Sequence, residues 1–210
     1  MRIYKIEGKG YECNKYLIVG RKNILVDPGM PEGFLPTLEE IENIVKDIDF
    51  VINTHCHYDH TGGDYLYQEY FHAPVIIHSE EVEVLKRGSD ITLSSLFNSK
   101  MIPPKEVIPL EEVLDELRRC NIEVVETPGH TKGSISLICG NYMITGDTLF
   151  AHSVGRWDFP TGNLEELKSS ILKLHRIIQE RGISKILPGH GEDAYTHNLD
   201  VKSLLLRLEF

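Results

Sequence analysis

Between Thr54 and His60 the chain reads Thr-His-Cys-His-Tyr-Asp-His, which places three imidazoles and one carboxylate within six residues. Packing gives no reason for such a cluster, because neighbouring imidazoles repel once protonated. Metal ions do, since neutral imidazole nitrogens and carboxylate oxygens are ordinary ligands for zinc and similar cations. If the chain leaves a strand in extended form, His55 and His57 point the same way and can grip one ion. Asp59 and His60 then fall on the following loop, where they can face a second ion. Cys56 alternates out of phase with both histidines, so its thiol is expected to point away from the metals.

Further ligands should come from strand ends later in the chain, and three motifs supply them. They are Thr127-Pro128-Gly129-His130-Thr131, Thr145-Gly146-Asp147-Thr148 and Leu187-Pro188-Gly189-His190-Gly191. Each follows an apolar run that reads as a strand, with proline or glycine shaping the turn. One histidine after Pro-Gly says little. Taken with the first cluster, the three motifs make a site.

Two ions a few ångström apart would hold a bridging water, lower its pKa from ~15.7 toward ~7, and polarise a carbonyl oxygen. Attack by that bridging hydroxide would be hydrolysis. Asp59 is the candidate catalytic residue, able to hydrogen-bond the hydroxide and help deliver a proton to the leaving group. A thiolate leaves with less such help than an amine, because free thiols ionise near pH ~8.5.

These residues need elements to position them. Apolar runs at Arg2–Ile6, Lys15–Val19 and Asn23–Val26, separated by turns with Gly8, Gly10, Gly20 and Asn23, predict an antiparallel meander closed by Asp27-Pro28-Gly29. Leu35, Leu38, Ile41, Ile44 and Val45 predict one buried stripe on a helix. A strand over 50–53 runs into the histidine cluster, and a helix is expected from 64 to about 70. Another strand follows over 74–78. The stretch 79–110 reads as one or two short helices with a turn at Pro103-Pro104. Strands resume over 122–126, 134–138 and 142–145. A long amphipathic helix over 164–179 has Asn163 as its N-cap and Gly182 beyond its end. A strand at 185–187 and a helix over 196–207 close the pattern.

At 210 residues, with 41% hydrophobic and 26% charged residues, the chain reads as one globular domain, 1–210. A net charge of −10 with no basic stripe argues against nucleic acid as a partner. No apolar run approaches the ~20 residues that span a bilayer, so no membrane partner is expected. The alternating start Met1-Arg2-Ile3-Tyr4-Lys5 lacks signal-peptide anatomy, and a cytoplasmic location is expected. Cys13, Cys56, Cys120 and Cys139 are scattered and read as reduced thiols. His72, His78, His175 and His197 fall outside the motifs, where ordinary structural roles are expected. Oligomeric state is left open.

The segments THCHYDHTGG, TPGHTKGS, TGDTLF and LPGHG, in this order and spacing, resemble the metallo-β-lactamase-fold hydrolases, most of all short glyoxalase II-like (hydroxyacylglutathione hydrolase-like) members. That resemblance implies an α/β fold, a four-layer αββα sandwich of two mixed β-sheets flanked by helices, with the metals at one sheet edge. It implies that His55, His57 and His130 hold a first ion, that Asp59, His60 and His190 hold a second, and that Asp147 bridges them. Two divalent ions are implied, zinc first, with iron or manganese as alternatives. Asp147 sets the chain apart from true lactamases, which carry cysteine there, and His57 from the flavodiiron branch, which has glutamate. About twenty residues follow His190, too few for the C-terminal helical domain with which full-length glyoxalase II contacts glutathione.

The segment 146–162, GDTLFAHSVGRWDFPTG, is similar to that of glyoxalase II-like and persulfide dioxygenase-like proteins, both of which act on sulfur-bearing substrates. The expected function is therefore binuclear hydrolysis of a small-molecule thioester of the hydroxyacylglutathione type. The alternative is a persulfide dioxygenase with a single iron on His55, His130 and Asp147, and a third reading is a phosphodiester-directed or non-catalytic member. Arg156 is a candidate to bind a substrate carboxylate, or else pairs with Asp158 or Asp64 to fix the loop. Tyr58 either lines the pocket or packs beneath the loop. His152 is a candidate pocket residue, and Trp157 a packing residue.

Overall fold

The computed structural model describes residues 1–208; Glu209 and Phe210, the end of the expected 1–210 domain, lie outside the described residues. The chain divides into two compact units, Met1–Val113 and Leu114–Phe210.

The first unit is a six-stranded sheet in chain order. Strands β1 (Arg2–Ile6), β2 (Lys15–Val19) and β3 (Asn23–Val26) form the expected antiparallel meander. Strands β4 (Phe50–Ile52), β5 (Val75–Ile77) and β6 (Val107–Pro109) then add in parallel. Parallel neighbours need crossovers, and helices supply them. Helix α1 (Phe34–Glu42) joins β3 to β4, α2 (Tyr58–Thr61) and α3 (Asp64–Phe71) join β4 to β5, and α4 (Ser79–Arg87) leads toward β6. Val75, Ile76 and Ile77 are all buried, the signature of a parallel strand with neither face in water. Leu17, Leu25, Val51 and Val75 pack with Ile41, Tyr67 and Leu85 in one core.

Three expectations for this unit need correction. Leu35 is 72% exposed rather than buried. At 100° per residue a strict three-residue spacing drifts by about 60° each step, so Leu35 has turned away from Leu38 and Ile41. Ile44 and Val45 do pack on the core, but from the turn beyond α1. In 79–110, α4 is followed by 3-10 turns at Asp90–Thr92 and Ser94–Phe97, and β6 was not expected. Asp59 and His60 lie on the one-turn helix α2 and not on a loop.

The second unit is a five-stranded sheet in the order β11-β10-β9-β8-β7. Strands β7 (Ile122–Glu126), β8 (Ile135–Cys139) and β9 (Tyr142–Gly146) are antiparallel neighbours. Strand β10 (Lys185–Pro188) runs parallel to β9, and β11 (Ala194–Tyr195) antiparallel to β10. Helix α5 (Leu114–Arg119), which the sequence reading did not include, precedes β7. Helix α6 (Leu164–Arg181) buries Leu167, Ile171, Leu174 and Ile178 on one stripe. Asn163 Oδ1 accepts from the amides of Glu165 and Glu166, and Gly182 ends the helix at φ 63°, as predicted.

The expected helix over 196–207 is interrupted. A 3-10 turn at Thr196–Asn198 gives way to extended Leu199, and α7 (Val201–Leu206) starts afresh where Asp200 accepts from the Ser203 amide. A second capping residue inside the pattern splits the helix. The class is α/β, with two mixed sheets flanked by helices, as the sequence predicts. No helix among the described residues is long and apolar enough to cross a membrane.

Removing the Asn163 cap leaves two first-turn amides of α6 without their acceptor. Asn163→Ala is expected to cost about 1 kcal/mol and to lower Tm by roughly 2–4 °C in a chain of this size. An unchanged melting temperature by circular dichroism would show that α6 does not depend on its cap.

Candidate metal centre

In the first unit the site begins where β4 ends. Asp27, at the end of β3, is wholly buried with a left-handed backbone, φ 53°. Its Oδ1 accepts from the Thr54 amide at 2.7 Å and its Oδ2 from the Thr54 hydroxyl at 2.8 Å. The same Oδ2 lies 3.0 Å from His60 Nδ1. One carboxyl group thus ties the exit of β4 to the helix that carries His60. Asn53, just before Thr54, donates to Asp64 Oδ2 at 2.7 Å. Burial pushes the Asp64 carboxyl well above the usual carboxylate range, against the opposing effect of the Asn53 bond.

Proton accounting fixes two ring orientations here. The Thr54 hydroxyl has one proton, and it goes to Asp27. His55 Nδ1, 3.1 Å from that hydroxyl, must therefore donate, which leaves the ring's lone pair on Nε2. His60 Nδ1 donates to Asp27 and likewise keeps its lone pair on Nε2. His57 is extended (φ −67°, ψ 147°) and its carbonyl accepts from the amides of His60 and Thr61, which folds the chain into α2. The rings of His55 and His57 meet edge to face at 4.8 Å, and those of His55 and His60 lie tilted at 4.1 Å. Ligand atoms of His55 lie within 4.8 Å of those of His57 and of His60. Asp59 Oδ2 is 3.7 Å from His60 Nε2.

The second unit brings together His130, Asp147 and His190. Parallel pairing sets Pro188 beside Gly146, so Asp147 and His190 emerge from the ends of adjacent strands, and the Gly189 amide donates to the Gly146 carbonyl at 2.9 Å. His130 follows β7 on a turn where Gly129 adopts φ 131° against Leu167 of α6. His130 Nδ1 lies 2.7 Å from the Arg156 carbonyl, which can only accept, so its lone pair is also on Nε2. Asp147 Oδ2 is 3.6 Å from His130 Nε2 and 3.6 Å from His190 Nε2. Gly155 runs against both residues: a Cβ there would overlap the Asp147 carbonyl oxygen and lie 3.2 Å from His130 Nδ1.

The donor set fits divalent metal ions. Two ligands each about 2.0–2.1 Å from one tetrahedral ion lie roughly 3.3–3.5 Å apart, and the 3.6, 3.6 and 3.7 Å spacings are close to that. Nδ1 of three rings is engaged by an oxygen, the arrangement that orients metal-binding imidazoles. Sequence reading missed Asp27, which looked only like a turn residue before Pro28-Gly29. A polar residue ending a strand beside the ligand-bearing strand was the available signal.

The other candidates fall elsewhere. Arg156 makes a two-pronged pair with Asp158 (2.9 and 2.6 Å) and lies over the Phe159 ring at 4.1 Å. Its guanidinium is engaged by its own loop, the second of the two roles expected for it. Tyr58, the first residue of α2, is buried and packs near Phe97. His152 is exposed and pairs with Glu192 at 3.1 Å. Trp157 packs against the Leu167 and Ile171 cluster. Cys56 belongs to the first unit's core, and burial raises its thiol pKa well above the ordinary value. The spare histidines do structural work: His72 ends α3 in the left-handed region, His78 caps α4, and His197 stacks on Tyr195.

A family model described as the Metallo-beta-lactamase superfamily matches residues 8–190. The chain is 56% identical over 191 residues to a probable metallo-hydrolase of Methanocaldococcus jannaschii, covering 90% of this chain and 93% of that protein. Among solved structures it is similar to TTHA1623 in a di-iron-bound form, with a TM-score of 0.77 and 27% identity, covering 91% of this chain and 94% of that one. It also shares the fold of ETHE1 from Myxococcus xanthus, with a TM-score of 0.69 at 21% identity over 100% of this chain and 90% of that one.

Asp27→Ala would strand the Thr54 amide and His60 Nδ1 in a buried site. Metal affinity is expected to fall about 10–100-fold, and each stranded donor to cost about 1–3 kcal/mol of stability. Asp27→Asn, which keeps an acceptor and tolerates the left-handed backbone, should fall between alanine and wild type. A chelator-competition titration checks this; wild-type affinity in Asp27→Ala would remove the residue from the site.

Proposed function

The chain belongs to the metallo-beta-lactamase superfamily, and on that premise we propose that it is a metal-dependent hydrolase that cleaves small thioesters of the hydroxyacylglutathione type with two divalent ions. The observation that carries the proposal is the Asp147 oxygen equidistant, at 3.6 Å, from His130 Nε2 and His190 Nε2. We read this spacing as suited to a carboxylate shared between two ions, each with one of those imidazoles. His55, His57 and His130 would hold the first ion and Asp59, His60 and His190 the second, with Asp147 on both. The family match runs from residue 8 to residue 190 and so spans both half-sets. Zinc is the ion proposed, with manganese an alternative and iron the one that the di-iron form of TTHA1623 raises.

When bound, such ions supply a water that ionises near pH ~7 and polarise the carbonyl oxygen under attack. The protein's own contribution is orientation and proton handling. Thr54, Asp27 and the Arg156 carbonyl hold the rings of His55, His60 and His130 in advance, so little reorganisation is left for the reaction. The Asp59 carboxylate is 15% exposed and can hold a proton at Oδ2 for the leaving group. A thiolate leaving group asks little of that proton, since thiols ionise near pH ~8.5. This favours a thioester over an amide. We assign Arg156 to fixing the 155–159 loop through Asp158 and Phe159, and leave His152 as the exposed candidate for substrate contact.

Protein purified without chelator is expected to carry close to two ions per chain by elemental analysis and to hydrolyse S-lactoylglutathione. His57→Ala should retain its fold and lose more than the roughly 100-fold that follows from removing an outer-shell partner. A single iron per chain, together with oxygen uptake on glutathione persulfide and no thioester hydrolysis, would overturn the proposal in favour of the dioxygenase.

A further inference from the structure

The first unit buries an ion pair that the chemistry above does not use. Lys15 Nζ lies 2.9 Å from Glu12 Oε2, with the two side chains only 1% and 7% exposed. Burying both charges carries a desolvation cost that their attraction does little more than offset, so stability alone is a poor reason for the pair. Its surroundings suggest another. Glu12 Oε1 accepts from the Met30 amide at 3.0 Å, which ties the β1–β2 loop to the loop after β3. That second loop is glycine where it crosses the pair. A Cβ on Gly29 would sit 2.6 Å from Glu12 Oε1 and 2.6 Å from Lys15 Cε, and one on Gly33 would overlap the Glu12 carboxylate.

Both tethered loops continue to the metal-ligand segment. From the first, the Cys13 amide donates to the Asp59 carbonyl at 3.4 Å, and the Cys13 thiol to the Asp27 carbonyl at 3.5 Å. From the second, the Gly29 amide donates to the His60 carbonyl at 2.9 Å, and the Gly29 carbonyl accepts from Gly63 at 2.7 Å. The loops therefore hold the backbone of Asp59 and His60, the two ligands that this unit gives to the second ion. His55 is held instead through Thr54 and the Asp27 carboxyl at the end of β3, upstream of the Gly29–Gly33 stretch that crosses the pair, and His57 follows from β4.

We infer that the Glu12–Lys15 pair is a positioning device for the second metal ion, locking the 8–14 and 29–33 stretches in the register that presents Asp59 and His60. The inference rests on the two-ion reading proposed above. It predicts selectivity, which general destabilisation would not produce.

Zinc titration of metal-stripped, full-length protein against a chromophoric chelator separates two successive equivalents. Glu12→Gln keeps an acceptor for Met30 but removes the charge; it should weaken the second equivalent by about 10–100-fold and leave the first within about twofold. Lys15→Met should do the same. Lys22→Met, which breaks the half-exposed Lys22–Asp49 pair (2.8 Å) in the same unit, should change neither equivalent. If the charge variants do not fold, Gly33→Ala, which displaces the carboxylate without removing it, carries the test with the same selective loss expected. Equal weakening of both equivalents, or of neither, overturns the positioning role while wild type still takes two ions. A wild type that takes only one overturns the two-ion reading itself.

Discussion

The candidate centre in the first unit depends on one buried carboxyl group. Asp27 collects the Thr54 amide, the Thr54 hydroxyl and His60 Nδ1 within 3.0 Å, and each bond has a separate consequence. The amide bond ends β4 in a fixed place. The hydroxyl bond uses the only Thr54 proton and so dictates that His55 presents Nε2. The imidazole bond turns His60 the same way from the far side of α2. A buried acceptor with three donors is satisfied, and its loss would take the acceptor from the Thr54 amide and from His60 Nδ1, both buried. The left-handed backbone at Asp27, tolerable for aspartate more than for most residues, is the local strain that this arrangement carries.

Each unit carries its candidate site residues at the carboxyl ends of strands, the usual place for ligands in α/β sheets. Asp27 ends β3, His55 and His57 follow β4, His130 follows β7, Asp147 follows β9 and His190 follows β10. For β3 with β4 and for β9 with β10, parallel pairing makes this a geometric consequence. Neighbouring parallel strands end at the same side, so residues far apart in sequence, such as Asp147 and His190, arrive within 3.6 Å. Turns after these strands then do the fine placement, through Gly29, Gly129 and Gly155, where a side chain would collide with Lys15, with α6 or with Asp147.

The sequence made the candidate ligands legible because their chemistry is rare and clustered, and the strands because their apolar runs are short and bounded by turn residues. The meander β1–β3 and the caps of α6 were readable to the residue for that reason. Two short elements were not. β6 ends in Pro109 and looks like a turn, and α2 is a single turn inside a motif that reads equally well as extended chain. Leu35 shows that apolar spacing needs its angle as well as its interval. Asp27 and the Glu12–Lys15 pair stayed hidden for a different reason. Their partners lie on other strands and loops, and a charged residue beside a turn normally signals solvent.

The central claim is the proposal that the chain binds two ions, with Asp147 as the shared carboxylate. Anomalous diffraction from crystals of the metal-loaded protein, collected at the absorption edge of the bound metal, tests it directly. Two peaks are expected, roughly 3.5–4 Å apart, one about 2.0–2.2 Å from His55, His57 and His130, the other equally near Asp59, His60 and His190, with the Asp147 carboxylate contacting both. A single peak, or peaks away from Asp147, would contradict the claim.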